Sequence, residues 1–320
     1  MTGKYRIVVR NNKVQFTLDI ERNITIIQGD SASGKTTLID LIDQYFRMGK
    51  SSGISLSCKV PVAVCKTAMW QIFIENIHNS IIFLDEDNDF VTSKEFADSV
   101  KKSDCYFVII TREDLHQLPY SVNSILKLQK TGSRSKVTYN RAYPVYDKVD
   151  TLSANEECEI LTEDSGAGNE MFSHIAAIYG TKCVSAGGKS NIKSYLIRHK
   201  DTKLIITADG AAFGADMADV YKIVMESRNR FELYLPESFE WIILSSGIVH
   251  TAELDEILKA PWEYIQSEEY ESWEQYFTHL LEEITKDTPL QYSKSRLAKA
   301  YMVPENVKKI VDVVIRTEEE

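Results

Sequence analysis

Residues 24–36 read Ile-Thr-Ile-Ile-Gln-Gly-Asp-Ser-Ala-Ser-Gly-Lys-Thr, and the fold is decided here. The first five residues form a short apolar run of strand type. Glycines at 29 and 34 then bracket four small polar residues. Immediately afterwards Leu38, Ile39, Leu41, Ile42, Tyr45 and Phe46 recur at helical spacing until Gly49. A strand that turns through glycine straight into a helix aims the first amides of that helix back at the turn. The helix dipole favours negative charge there.

The spacing Gly-x-x-x-x-Gly-Lys-Thr supplies what a polyphosphate requires. The glycines let the backbone wrap it, Lys35 reaches the β- and γ-phosphates, and the Thr36 hydroxyl takes Mg²⁺. The expected ligand is ATP with magnesium, held by Gly29, Asp30, Ser31, Ala32, Ser33, Gly34, Lys35, Thr36 and Thr37. Downstream, Ile81-Ile82-Phe83-Leu84-Asp85-Glu86 is an apolar strand ending in two carboxylates, the form of a Walker B motif. Asp85 is the expected magnesium partner and Glu86 the group that polarises an attacking water. Thr111, at the end of the next apolar strand, stands where a γ-phosphate sensor lies. Arg112 beside it is either a charge stabiliser or a solvated cation.

Outward from the loop, Tyr5–Arg10 and 13–20 alternate around Asn11-Asn12, a hairpin signal. Helices are expected at 70–77 and 93–103, and buried strands at 80–84 and 105–111. A basic hairpin follows, carrying Lys127, Lys130, Arg134, Lys136 and Arg141. Strands alternating with helices imply a mostly parallel, helix-covered sheet. Residues 140–157, with Pro144 and several charges, read as a linker. Beyond it, strands are expected at 158–161, 182–185, 203–208 and 231–235, and helices at 169–179, 191–199 and 216–227. From 251 the pattern becomes helical.

Composition narrows the class. The 320 residues are 43% hydrophobic and 26% charged, ordinary for a globular chain. No apolar run is long enough to span a membrane, and the first residues lack a secretion core. Five scattered cysteines without Cys-x-x-Cys spacing fit a reducing cytoplasm rather than a disulfide framework. The net charge of −10 lies in the second half, whereas residues 1–150 are slightly basic. A polyanionic partner would therefore need the local track on the hairpin.

The loop, the Walker B strand and the leading hairpin resemble the core of ABC-type ATPases, over roughly residues 1–145. About fifty residues separate Thr36 from Asp85, with no Leu-Ser-Gly-Gly-like signature, so binding is a safer expectation than fast hydrolysis. In the second half, Ile160-Leu161-Thr162-Glu163, Ser185-Ala186-Gly187-Gly188-Lys189 and Ile205-Ile206-Thr207-Ala208-Asp209 resemble a TOPRIM domain over 155–250. Residues 251–320 are expected as a helical region packed on it. The resemblance implies that Glu163 and Asp209 hold Mg²⁺ for phosphodiester chemistry, with Lys189 as a catalytic cation. Where that family has a second aspartate this chain has Ala211; Asp216, Glu237 and Glu240 are the substitutes in reach, with Asp216 the assigned one. Strand-end acids also cap helices for purely structural reasons.

The whole is similar to a miniature enzyme of the overcoming-lysogenisation-defect and Gabija type. That similarity implies nucleotide-gated cleavage of DNA or RNA in phage or mobile-element conflict, in a homo-oligomer or with a partner protein. The competing expectation is a non-catalytic ATP-dependent sensor with a degraded second site.

Overall fold

The computed structural model describes residues 1–29, 33–146 and 158–315. The chain is α/β and divides into two compact units. One is Met1–Asp147 with Ala260–Ser272; the other is Lys148–Lys259 with Trp273–Glu320.

The first unit is built on a nine-stranded mixed sheet. Its strands are β1 (Tyr5–Arg10), β2 (Val14–Ile20), β3 (Ile24–Gln28), β4 (Ser55–Ser57), β5 (Val62–Cys65), β6 (Ile81–Leu84), β7 (Tyr106–Ile110), β8 (Ile125–Arg134) and β9 (Val137–Pro144), in the order β4-β1-β2-β9-β8-β3-β7-β6-β5. The block β8-β3-β7-β6-β5 is parallel throughout, whereas β1–β2, β1–β4 and β8–β9 are antiparallel. β3, β6 and β7 are apolar at nearly every position because the central sheet is covered on both faces.

Helix α1 (Lys35–Met48) covers one face, burying Leu38, Ile39, Leu41 and Ile42 against Ile27, Phe83 and Val108. Each of those four side chains contributes about 1.5–3 kcal/mol by leaving water. Helices α2 (Trp70–Glu75) and α3 (Lys94–Lys101) lie on the other face. There Trp70 stacks on Phe90, and Phe96 meets Phe107 edge-on.

The division of faces follows from handedness. The chain passes from β3 outward to β5 and then returns through β6 and β7. Right-handed crossovers in opposite directions put their helices on opposite faces. The antiparallel half of the sheet is covered by α1 alone.

The expected linker differs from the structure at its start. β9 pairs with β2 as far as Arg141 and with β8 as far as Pro144, opposite Leu126, and Val145 still donates to the Ile125 carbonyl. Asn140 and Arg141 read as loop because that strand is only half-buried. Residues 147–157 of the expected linker lie outside the described residues.

The second unit holds a four-stranded parallel sheet of β10 (Glu159–Thr162), β11 (Cys183–Ser185), β12 (Leu204–Thr207) and β13 (Phe231–Tyr234), in the order β11-β10-β12-β13. Helices α4 (Ala167–Ile178), α5 (Lys189–Arg198) and α6 (Gly214–Glu226) make the crossovers. α7 (Phe239–Ser245), capped by the buried Ser238 hydroxyl, follows β13; α8 (Leu254–Lys259), α9 (Trp273–Thr285) and α10 (Pro304–Val314) are the expected helical tail.

One part of that tail belongs elsewhere. Residues 260–272, expected with the second domain, pack on the first unit. The Met1 ammonium and carbonyl both bond Ser267, Gly3 donates to the Trp262 carbonyl, and Asn23 donates to the Glu271 carbonyl. Lys101 pairs with Glu271 at 3.1 Å. Among the described residues no helix is long and apolar enough to cross a membrane.

Candidate functional sites

In the first unit the candidate site lies at the carboxyl ends of the parallel strands, where open α/β sheets place their crevice. Gly29 at φ +137° and Gly34 at φ +93° hold left-handed backbone on either side of the turn. A Cβ at Gly34 would also sit 3.2 Å from the Phe16 ring, so the second glycine is fixed by both conformation and space. Asp30, Ser31 and Ala32 lie outside the described residues. Lys35 is buried, and its ammonium donates to the Gly29 carbonyl at 2.5 Å and to Ser33 Oγ at 3.4 Å. No side chain caps α1 and its first turn contains no acid, while Thr36 and Thr37 are exposed. An uncapped, acid-free helix start behind a glycine turn fits a polyphosphate.

β7 separates β3 from β6, so the strand that ends at Asp85 runs about 10 Å from the strand that leads into the glycine turn, two strand spacings away. Asp85, buried at the end of β6, accepts the Glu86 amide at 2.9 Å. Burial pushes its carboxyl above the usual range, the Glu86 and Asp87 carboxylates add to that, and the Glu86 amide and Lys66 oppose it. A carboxylate held in this way gains from a nearby cation.

Glu86 is exposed and lies 3.6 Å from the Arg112 guanidinium. Arg112 is thus placed against the expected water-polarising acid. Thr111 is buried between the two motif strands, and its hydroxyl accepts the Glu113 amide. Lys66, at the end of β5, pairs with Asp40 of α1 at 3.4 Å and faces the Asp85 charge. Nothing in the sequence marked it, because β5 itself was not legible.

In the second unit Glu163 follows β10 and Asp209 follows β12. These strands are neighbours, and the chain order reverses between them, so their ends open the crevice of the sheet. A cavity of about 40 Å³ lies there, lined by Glu163, Asp209, Glu240, Tyr292 and Lys294 among others. It has room for two or three water-sized groups.

Each acid commits one oxygen to the protein. Glu163 Oε2 accepts the Asp209 amide at 3.4 Å, Asp209 Oδ1 accepts the Phe239 amide at 3.0 Å, and Glu240 Oε1 accepts the Tyr292 hydroxyl at 2.7 Å. Glu240 is 1% exposed, and its Oε2 has no hydrogen-bond partner. Burial raises the Glu163 and Asp209 carboxyls, and the Glu274 carboxylate raises both further. Glu240 and Glu163 add to the shift at Asp209. Burial also raises the Tyr292 hydroxyl, with Glu240 as the next cause. The balancing cation is Lys294, in contact with Glu274. Burial lowers its ammonium, but Glu274, Asp209 and Glu240 outweigh that and hold it above the usual lysine range.

Several expected residues stand elsewhere. Lys189 starts α5 and donates to the Ala212 carbonyl at 2.8 Å, where it steadies the turn after Asp209 and faces the Glu163 charge without lining the cavity. Asp216 sits in the first turn of α6 and does not line the cavity either; Glu240 takes that place. The reason is the extension of β12: the Gly210 and Ala211 amides bond the Pro236 and Glu237 carbonyls, which brings the start of α7 against Asp209. A Cβ at Gly210 would lie 2.6 Å from the Leu235 carbonyl, so only glycine permits this approach. Ala211 is 2% exposed and off the cavity, so an aspartate there would be buried rather than added to the acids.

Tyr292 and Lys294 were not legible, since they reach the cavity from a segment far along the chain. The Lys294 carbonyl accepts the Ala167 amide, and Glu170 accepts the Leu297 amide.

Among the described residues no three His, Cys, Asp or Glu side chains are disposed to hold a metal ion as they stand. The donor set still suits a hard cation: three carboxylates share one small cavity, and one of them keeps an unpartnered buried oxygen. No family model matches the chain, and no curated protein matches it.

Proposed function

We propose that this protein binds ATP through the 29–37 loop and uses its nucleotide state to gate metal-dependent cleavage of nucleic acid by the second unit. The observation that carries the second half of this reading is the unpartnered, fully buried Glu240 oxygen beside Glu163 and Asp209. A buried carboxylate oxygen without a hydrogen-bond partner is costly, and Lys294 is one cation facing Glu274, Asp209 and Glu240, so the group points to a ligand that supplies further charge.

Glu163, Asp209 and Glu240 are the residues that would hold Mg²⁺. Bound there, the ion would activate a nucleophile and stabilise a leaving oxygen. Tyr292 orients Glu240, and Lys189 holds the backbone after Asp209. In the first unit Lys35 and the helix start receive the phosphates, with Thr36 and Asp85 as the magnesium partners. Gating is the consequence proposed for carrying both sites on one chain.

The second reading, a non-catalytic ATP-dependent sensor, is favoured by one specific observation: Lys294 already supplies the acidic cavity with a cation. Incubating the full chain with supercoiled plasmid, Mn²⁺ or Mg²⁺, and ATP or no nucleotide separates the two. The nuclease reading expects metal-dependent nicking that is lost in Asp209→Ala and Glu240→Ala, and whose nucleotide dependence is lost in Lys35→Ala. ATP binding without any nicking would favour the sensor.

A further inference from the structure

The antiparallel half of the first sheet has one face under α1 and one face open. On the open face the pairing register aligns Arg6 with Asp19, Arg10 with Gln15, Gln15 with Tyr139, Thr17 with Arg141, Lys127 with Tyr143, and Arg134 with Val137. Residues directly opposite in a sheet share a face. The opposite face is the core one, holding Ile7, Val9, Phe16, Leu18, Leu126 and Leu128. Five cations from β1, β8 and β9 therefore stand on one surface: Arg6, Arg10, Lys127, Arg134 and Arg141. Among the described strand residues they meet a single acid, Asp19, which bonds both Arg6 and Arg141.

Two aromatic side chains share this face. Tyr139, Arg141 and Tyr143 alternate along β9, each about 7 Å from the next. The Arg141 guanidinium lies 5.8 Å from the Tyr143 ring centre. Beside Tyr139 the register slips between Lys130 and Gly132, which brings Gly132 opposite the ring. Glycine leaves that place open, and a groove of about 280 Å³ results, lined by Gln15, Thr17, Thr131, Gly132, Tyr139 and Arg141. That approaches the lower end of pockets holding small organic molecules, roughly 300 Å³.

We infer that this uncovered sheet face is a binding platform for single-stranded nucleic acid, with a base seated in the groove between Tyr139 and Gly132 and the arginines and Lys127 on the phosphates. A cationic surface alone would suit any polyanion. Half-buried rings interleaved with cations on an uncovered sheet face, next to a slot with a glycine floor, suit a polyanion that carries planar bases. A duplex hides its bases, and a run of Asp and Glu carries no flat ring to seat. The inference does not rest on cleavage.

The test is fluorescence anisotropy of the full chain with a labelled single-stranded oligonucleotide of mixed sequence, in EDTA so that no metal chemistry contributes. Gly132→Leu is the decisive variant, because a Cβ there meets nothing within 4 Å and the backbone needs no left-handed conformation. Gly132→Leu and Tyr139→Ala should each weaken binding about 5- to 150-fold, the range for losing one stacked base. Arg10→Glu combined with Arg134→Glu should weaken it further and flatten its salt dependence. ATP binding should be unchanged in all three proteins, which controls for folding.

Absence of wild-type binding would overturn the inference, as would wild-type affinity in Gly132→Leu. Better competition by duplex of the same sequence, or by polyglutamate, would assign the face to another partner and overturn it equally. Absence of plasmid cleavage, by contrast, would count only against the nuclease reading.

Discussion

Lys35 and Lys294 are both lysines at the proposed sites, and their surroundings differ. The Lys35 ammonium is held inside the loop by the Gly29 carbonyl, a contact that phosphates would replace on the proposed reading. Lys35→Ala should lower ATP affinity about 10- to 150-fold, the worth of a charge-assisted bond, while the fold is retained. Unchanged affinity by calorimetry would remove the loop assignment. Lys294 instead offsets carboxylates. Lys294→Ala should destabilise the metal-free protein by about 1 kcal/mol, a discounted figure because its side chain is 45% exposed. Asp209→Asn should do the reverse. Asparagine can still accept the Phe239 amide but removes one charge from a like-charged cluster, which stabilises the metal-free protein on the order of 1 kcal/mol. Chemical denaturation with and without Mn²⁺ checks both; matching signs for the two variants would contradict the assigned charge balance.

Among the elements, the β1–β2–β9 surface has its own pH signature. Partial burial pushes the Asp19 carboxyl up, but hydrogen bonds and charge from Arg6 and Arg141 outweigh it and hold the group below the usual range. Its folded-state value being lowered, its contribution to stability is fully present above the unfolded aspartate value near 4 and is lost as pH falls through the folded one. Urea midpoints from pH 6 downward should therefore drop more steeply in the wild type than in Asp19→Asn. Parallel slopes would show that the two arginine contacts carry no weight.

Legibility also varies by element. β3, α1 and β6 could be read because apolar runs, glycine and charge all pointed one way. β5 could not, since Val62-Ala63-Val64-Cys65 is only four residues behind a proline, too short to separate strand from helix. α7 was hidden by Pro236, although Ser238 followed by Glu240 and an apolar run marks its start in retrospect. Glu163 and Asp209 were reached through the resemblance of their strand ends to a TOPRIM domain, and Glu240 was only one of three substitutes for the missing acid. Their neighbours Tyr292 and Lys294 were not legible, because tertiary packing alone unites segments so far apart.

For the molecule as a whole, the division into units does not follow the order of the chain. Residues 260–272 complete the first unit, and α9 and α10 then return to the second. A chain ending at residue 259 should therefore lose stability in both units, the first through Ser267, Trp262 and Glu271, the second through Tyr292 and Lys294. Hydrogen exchange would show raised rates at the β1 amides as well as at α4. Loss confined to the second unit would mean that the 260–272 contacts contribute little.

That returning segment also sets a timetable for synthesis. The first unit cannot close its N-terminal edge until residue 272 has been made, 128 residues after Pro144, the last residue of its sheet. At roughly 5–20 residues per second this leaves about 6 to 25 s in which Met1 and Gly3 lack their partners on the growing chain. The second unit's strands are all made during that interval. Residues 1–3 are thus among the last of their unit to be secured, although they are made long before the partners that hold them.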